Sequence, residues 1–264
     1  MRLAPCLAIA ALVSAPALAQ EVVKVHAAGS LKAALTEAAN SFATSRGGAK
    51  VEFAFGPSGL LKERLEKGEA SDVFASANMA HPKALTDAGK AGPVRAFARN
   101  TLCALAGPAV KVTPDTLLET ILDRNVKLGI STPKADPSGD YAWQLFANAE
   151  AAIPGARKAL EAKALKLTGG PQHPPPPKDR TVYGAIVAKG EADVFLTYCT
   201  NAILAKGEEP QLQVVAIPAS LNVGADYGLV VLKEARSAGF RFADFLLSPR
   251  GQKILGTFGF APPR

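Results

Sequence analysis

The sequence is poor in the residues that enzymes use most. Among 264 residues there are three histidines (His26, His81 and His173), three cysteines, two methionines and one tryptophan. No histidine has a Ser, Cys or carboxylate at the spacing of a catalytic triad, a zinc-protease helix or a facial triad, so each reads as a core or surface histidine. A Gly-rich phosphate loop, a dinucleotide fingerprint and a nucleophile elbow are all missing, and with them the usual hardware of phosphoryl, hydride and acyl transfer. Long basic runs are missing too. Thirty Lys and Arg against 23 Asp and Glu give a net charge of +7, but the signs are interleaved, as in Lys62-Glu63-Arg64-Leu65-Glu66-Lys67. Nucleic-acid binding gains little from that pattern, while a mildly positive field favours small anions.

Beyond residue 19 no apolar run is long enough to cross a bilayer. Residues 1–19, MRLAPCLAIAALVSAPALA, read as a secretory signal peptide with a small-x-small cleavage site at Ala17-Leu18-Ala19. Cys6 leaves with it, so Cys103 and Cys199 remain. In an exported compartment these two form either a disulfide or a pair of buried thiols, and both readings stay open. A metal site is not supported, because neither has a second Cys or His at ligand spacing.

What the chain does have is a 48% apolar fraction, enough for a full core, and a repeated strand-turn-helix pattern. A β-rich run at 22–27 meets Gly29-Ser30, and Leu31, Leu35, Ala38 and Phe42 follow at helical spacing. Val51, Phe53 and Phe55 alternate, Gly56-Pro57-Ser58-Gly59 breaks the strand, and a second helix carries Leu60, Leu61 and Leu65. A third strand follows at 71–75. The pattern resumes with strands at 102–105 and 127–130 around a helix opened by Thr113-Pro114, and then with helices after Ser138-Gly139 and from 154 to about 164. Residues 169–180, GGPQHPPPPKDR, predict a stiff surface excursion, since consecutive prolines remove donors and fix φ. A helix at 182–188, strands at 193–198, 212–217 and 227–232, and two terminal helices complete the pattern. This predicts two α/β lobes of mixed, mostly parallel sheet with a ligand cleft between them: 20–99 with 219–264 as the first, and 100–218 as the second.

Three strands end in a small, hydroxyl-bearing turn that runs into a helix: Ala28-Gly29-Ser30, Pro57-Ser58-Gly59 and Pro137-Ser138-Gly139. Each offers free N–H groups, a positive dipole end and a hydroxyl, which together suit an anion. Taken singly, each serine reads first as an N-cap.

The segments Ala27-Ala28-Gly29-Ser30-Leu31, Phe55-Gly56-Pro57-Ser58-Gly59, Ala70-Ser71-Asp72-Val73-Phe74-Ala75-Ser76-Ala77 and Gly190-Glu191-Ala192-Asp193-Val194 leading to Tyr198 resemble the periplasmic molybdate-binding proteins of ABC importers. The ending from Ser248-Pro249-Arg250-Gly251-Gln252 to Phe258-Gly259-Phe260 is similar as well. The resemblance implies a two-lobed periplasmic binding protein of the second topological type. It further implies a tetrahedral dianion, molybdate or tungstate, bound without a balancing Arg or Lys, by the hydroxyls of Ser30, Ser58 and Tyr198 and the backbone N–H groups of Ser138 and Val182. It implies no cofactor, no catalysis, a membrane permease as partner and a monomeric, periplasmic protein. A donor-only lining suits a fully deprotonated oxyanion, whereas a protonated one needs an acceptor for its hydrogen.

Three rivals differ from this in what they require. The same fold holding another oxyanion or a small organic acid calls for an Arg or a carboxylate in the cleft. An enzyme calls for a general acid or base there, with Asp72 and Asp193 the nearest candidates. A metal-binding or sensor-partner protein would use His173 and the proline run.

Overall fold

The apolar run Val22–Ala28 forms the first strand of the computed structural model, which describes residues 21–45, 47–174 and 180–263. The leader read at 1–19 lies outside them, as do 175–179 of the proline segment. In chain order the elements are β1 (Val22–Ala28), a 3-10 turn (Gly29–Leu31), α1 (Lys32–Ala43), β2 (Lys50–Gly56), α2 (Ser58–Glu66), β3 (Val73–Ser76), α3 (Ala80–Asp87) and β4 (Arg95–Ala106). Then follow α4 (Leu117–Leu122), β5 (Leu128–Ser131), α5 (Pro137–Ala152), α6 (Ala156–Lys163), β6 (Leu165–Thr168), α7 (Val182–Ala188), β7 (Val194–Tyr198) and α8 (Cys199–Glu208). The chain closes with β8 (Gln213–Ala216), β9 (Gly224–Val231), α9 (Ser237–Leu247) and α10 (Pro249–Thr257).

The strands form one curled sheet in the order β2-β1-β3-β9-β4-β7-β5-β6, with β8 also on β4. Pairing is parallel for β1 with β2 and β3, and for β5 with β6 and β7. It is antiparallel around β9 and β4. β4 divides its partners: Arg95–Thr101 pairs with β9, and Leu102–Ala106 pairs with β7. A single strand therefore belongs to two lobes. The first is built on β1, β2, β3 and β9, the second on β5, β6, β7 and β8. Only the apolar second half of β4 reads as strand in the sequence, because Arg95, Arg99 and Asn100 interrupt the first half.

Helix starts follow local chemistry. Ser248 caps α10, its Oγ accepting the Gly251 N–H at 3.2 Å with Pro249 in the first turn, as the sequence predicts. The helix expected from Thr113 instead begins at Leu117. Thr113 and Thr116 accept each other's backbone N–H (3.3 and 3.0 Å), and this turn delays the helix. The helix expected after Ser138-Gly139 begins at Pro137 and is capped by Asp136. Asp72 and Asp193 have matching structural roles: each precedes a parallel strand and accepts a backbone N–H from the neighbouring segment, Lys24 and Lys127 respectively, both at 2.7 Å. Neither is a general acid or base of the cleft, and both act as strand-entry anchors.

Cys103 and Cys199 are joined in a disulfide with a Cα–Cα separation of 4.7 Å, so the bonded alternative is the one adopted. It lies just past the point where β4 changes partner and ties that strand to the first residue of α8. Two further bonds reinforce the crossing: Asn100 Nδ2 donates to Thr200 Oγ1 at 2.9 Å, and the Thr101 hydroxyl donates to Cys199 Sγ at 3.3 Å.

Candidate functional site

Between the lobes lies a cleft of about 610 Å³, whose walls include Ser30, Ser58, Ala77, Asp136, Val182 and Tyr198. Four of the five residues singled out in the sequence are thus brought together from four separate elements. Ser138 is not among the lining residues. Its N–H donates to Asp136 Oδ1 at 3.0 Å, and its hydroxyl is buried without a hydrogen-bond partner.

The direction of each hydroxyl follows from its neighbours. Ser58, 1% exposed, opens α2, and its Oγ accepts the Ala77 N–H at 3.1 Å. An acceptor site is therefore occupied, and the hydroxyl hydrogen is free to donate. Ser30 Oγ lies 2.9 Å from the Tyr227 hydroxyl. Asn100 Oδ1 accepts the Thr101 N–H at 2.9 Å, which turns the Asn100 amide so that Nδ2 donates to the Tyr227 oxygen at 3.5 Å. The Ser30 and Tyr227 hydroxyls share one hydrogen bond in which either can donate, and the direction with Tyr227 donating leaves the Ser30 hydrogen for the cleft. The Tyr198 hydroxyl donates to the Ala77 carbonyl at 3.4 Å, a long bond that leaves room for a better acceptor. Burial drives the phenols of Tyr198 and Tyr227 well above their usual range, so both remain protonated donors.

The lobes also touch directly. The Gly59 N–H, one residue into α2, donates to the Ala135 carbonyl of the second lobe at 2.9 Å. Ala135 is followed by Asp136, whose carboxyl is pushed up to about 6, chiefly by burial and against the Ser138 N–H and the nearby Ser131 hydroxyl. Val182 starts α7, which is capped by Thr181; the Thr181 hydroxyl donates to Glu208 at 2.8 Å.

Cations also occur in the walls of the cleft: Lys32, Arg64 and Arg180 line it, and Arg64 is held by Glu69 at 2.6 Å. His173 lines it as well, but both ring nitrogens are engaged: Nδ1 accepts the Gly170 N–H and Nε2 donates to the Lys166 carbonyl, each at 3.0 Å. No group of three or more metal-ligating side chains occurs among the described residues. Nor is any helix among them long and apolar enough to cross a membrane.

Asp136, which lines the cleft, and Gly59, Asn100 and Tyr227, which act behind its walls, were not singled out in the sequence for these roles. One signal was present: Asp136-Pro137 is itself an N-cap followed by a first-turn proline. The remaining three act through contacts that no spacing reveals.

Comparison with known proteins gives a consistent family. The bacterial extracellular solute-binding proteins match residues 23–261. An uncharacterized protein of Pasteurella multocida is 36% identical over 215 residues, covering 81% of this chain and 88% of its own. The molybdate-binding protein ModA of Mycobacterium tuberculosis is 27% identical, covering 90% and 84%. Among solved structures, the sulfate-binding protein SubI of the same organism superposes with a TM-score of 0.76 at 17% identity, covering 91% and 86%.

Proposed function

This chain belongs to the bacterial extracellular solute-binding protein family, and from that premise we propose that it captures a tetrahedral oxyanion, molybdate with tungstate as the close alternative, in the periplasm. The loaded, closed form then docks on the membrane permease of an ABC importer. One observation carries the ligand class: Ser58 Oγ already accepts the Ala77 N–H, which leaves its hydrogen to donate, and Ser30 lines the same cleft with a second hydroxyl. Tyr198 adds a third protonated donor. Neutral donors in a preformed cleft bind an anion without the desolvation cost of a buried ion pair. The mycobacterial molybdate-binding relative supports the choice of anion. The reading requires no covalent step.

A second reading is favoured by the size of the cleft. About 610 Å³ is the volume of an organic-ligand pocket, and its walls include Phe55, Leu61, Leu204 and Phe258. An organic oxyanion would place its anionic head on the serines and its body along this apolar surface. Parallel calorimetric titrations with molybdate, tungstate, sulfate and a small phosphate monoester separate the two. Tight binding of the two large inorganic dianions alone supports the first reading, and binding of the monoester alone replaces it with the second.

A further inference from the structure

Asp136 does not fit a cleft built for a bare dianion. It caps α5, the longest helix among the described residues, and its Oδ1 takes the Ser138 N–H, the amide that a ligand would otherwise use. Its second oxygen lies under the backbone of Gly169, where a Cβ would come within 2.7 Å of Oδ2. On the other side, the interlobe bond from Gly59 to Ala135 fixes the preceding residue. The carboxylate thus sits in the cleft wall between the start of α5 and the backbone of Gly169, next to the point where the first lobe touches the second.

The side chains facing it bring no positive charge, and beside the Ser138 N–H only the Ser131 hydroxyl works in favour of its ionised form. These side chains are Ser131 from β5, Asp140 from α5 itself, Tyr183 from α7 and Tyr198 from β7. Asp140 is the one that acts on it by charge, and its sign is the same. Lys32, Arg64, His173 and Arg180 line the same cleft but are not among the groups that shift it. Desolvation is the dominant influence on the carboxyl and already favours its neutral form.

We propose that Asp136 is a self-ligand of the second lobe, holding the start of α5 with its own charge, and that an oxyanion enters this cleft together with a proton on that carboxylate. The inference rests on the oxyanion reading above. A dianion brought into a desolvated site beside an ionised carboxylate meets repulsion that grows as water leaves. Protonation removes the like charge and supplies an O–H that donates to the anion. By linkage, one proton taken up per anion makes affinity fall about tenfold for each pH unit above the carboxyl's own midpoint.

The test is calorimetric titration of the purified protein and of Asp136→Asn with sodium molybdate, at about pH 6 and about pH 8, in two buffers of different ionisation enthalpy. Asn keeps a cap acceptor for Ser138, so the fold is retained, and a thermal melt of each protein verifies it. The expected result is wild-type affinity lower at the higher pH by about tenfold or more, with close to one proton taken up. The variant should bind at both pH values alike, take up no proton, and exceed wild type at the higher pH. Wild-type binding without proton uptake, or equal pH profiles for the two proteins, would overturn the role of Asp136 while leaving the oxyanion reading in place. Absence of molybdate binding by both proteins at both pH values would overturn the oxyanion reading and this inference with it.

Discussion

The backbone N–H of Gly59 in the first lobe donates to the carbonyl of Ala135 in the second, a 2.9 Å bond that joins the two walls of the cleft. A side chain at position 59 would collide with that contact, because a Cβ would lie 2.5 Å from the Lys134 oxygen and 2.7 Å from the Ala135 oxygen, both backbone atoms. Gly59 is required by the approach of the opposite lobe. Gly59→Ala is therefore expected to leave the unliganded protein as stable as wild type, or more stable by up to about 1 kcal/mol from helix propensity. Its molybdate affinity should drop at least about tenfold, since 1.4 kcal/mol of closure strain suffices for that. Paired thermal melts and titrations check this, and unchanged affinity would rule out the contact as a closing clamp.

The two serines differ in what else they hold. Ser30→Ala removes one donor and leaves Tyr227 with Asn100, so affinity should fall about tenfold with little change in stability. Ser58→Ala also strands the Ala77 N–H, and should lose about 1–3 kcal/mol of unfolding free energy along with affinity. Denaturant titration of both variants separates the roles. Equal stability of the two would contradict the assignment of the Ser58 lone pair to Ala77.

Asp72 gives the fold a dependence on pH. Its side chain is 3% exposed and accepts the N–H groups of Lys24 and Arg236 at 2.7 and 2.8 Å. Burial alone would raise its pKa, but the hydrogen bonds from Arg236 and Lys24 outweigh burial and lower it. A lowered folded-state pKa contributes stability that is present above the unfolded carboxylate's value, near 4, and is lost as pH falls through the folded one. Wild-type unfolding free energy should decline below about pH 4. Asp72→Asn should be less stable at neutral pH by about 1–3 kcal/mol and show a shallower acid slope. Parallel slopes for the two proteins would exclude Asp72 as a source of the acid sensitivity.

The disulfide closes a loop of 96 residues, and its loss should cost about 2–5 kcal/mol. Reductant should lower the urea midpoint of wild type and leave the Cys103→Ser, Cys199→Ser double variant unmoved. A wild-type midpoint insensitive to reductant would show that the bond adds nothing to stability.

The fold was legible wherever local chemistry decides the backbone. Ser248-Pro249 announced α10, and the alternation of Val51, Phe53 and Phe55 announced β2. At Thr113 the residue type was right and the start was early, because Thr113 and Thr116 accept each other's amides in a turn that precedes the helix at Leu117. The site was legible as three Ser turns but not as an arrangement. That Ser58 lends its oxygen to Ala77, that Ser30 answers to Tyr227 from 197 residues away, and that Asp136 occupies the Ser138 amide are long-range or competitive contacts. Spacing along a chain carries no record of them. The disulfide stood open for the same reason, since pairing needs the register that sets Leu102 opposite Tyr198.

That covalent link also shapes how the molecule responds to mechanical tension. Both described ends leave from the first lobe: β1 begins at Val22, and Ala261 bridges to Arg99. A pull on them is carried from Cys103 to Cys199 through sulfur, so residues 104–198 lie outside the line of force while β8 stays within it. The loop withholds roughly 330 Å of contour from extension, and a chain stretched to its limit would still hold residues 104–198 behind the sulfur bridge.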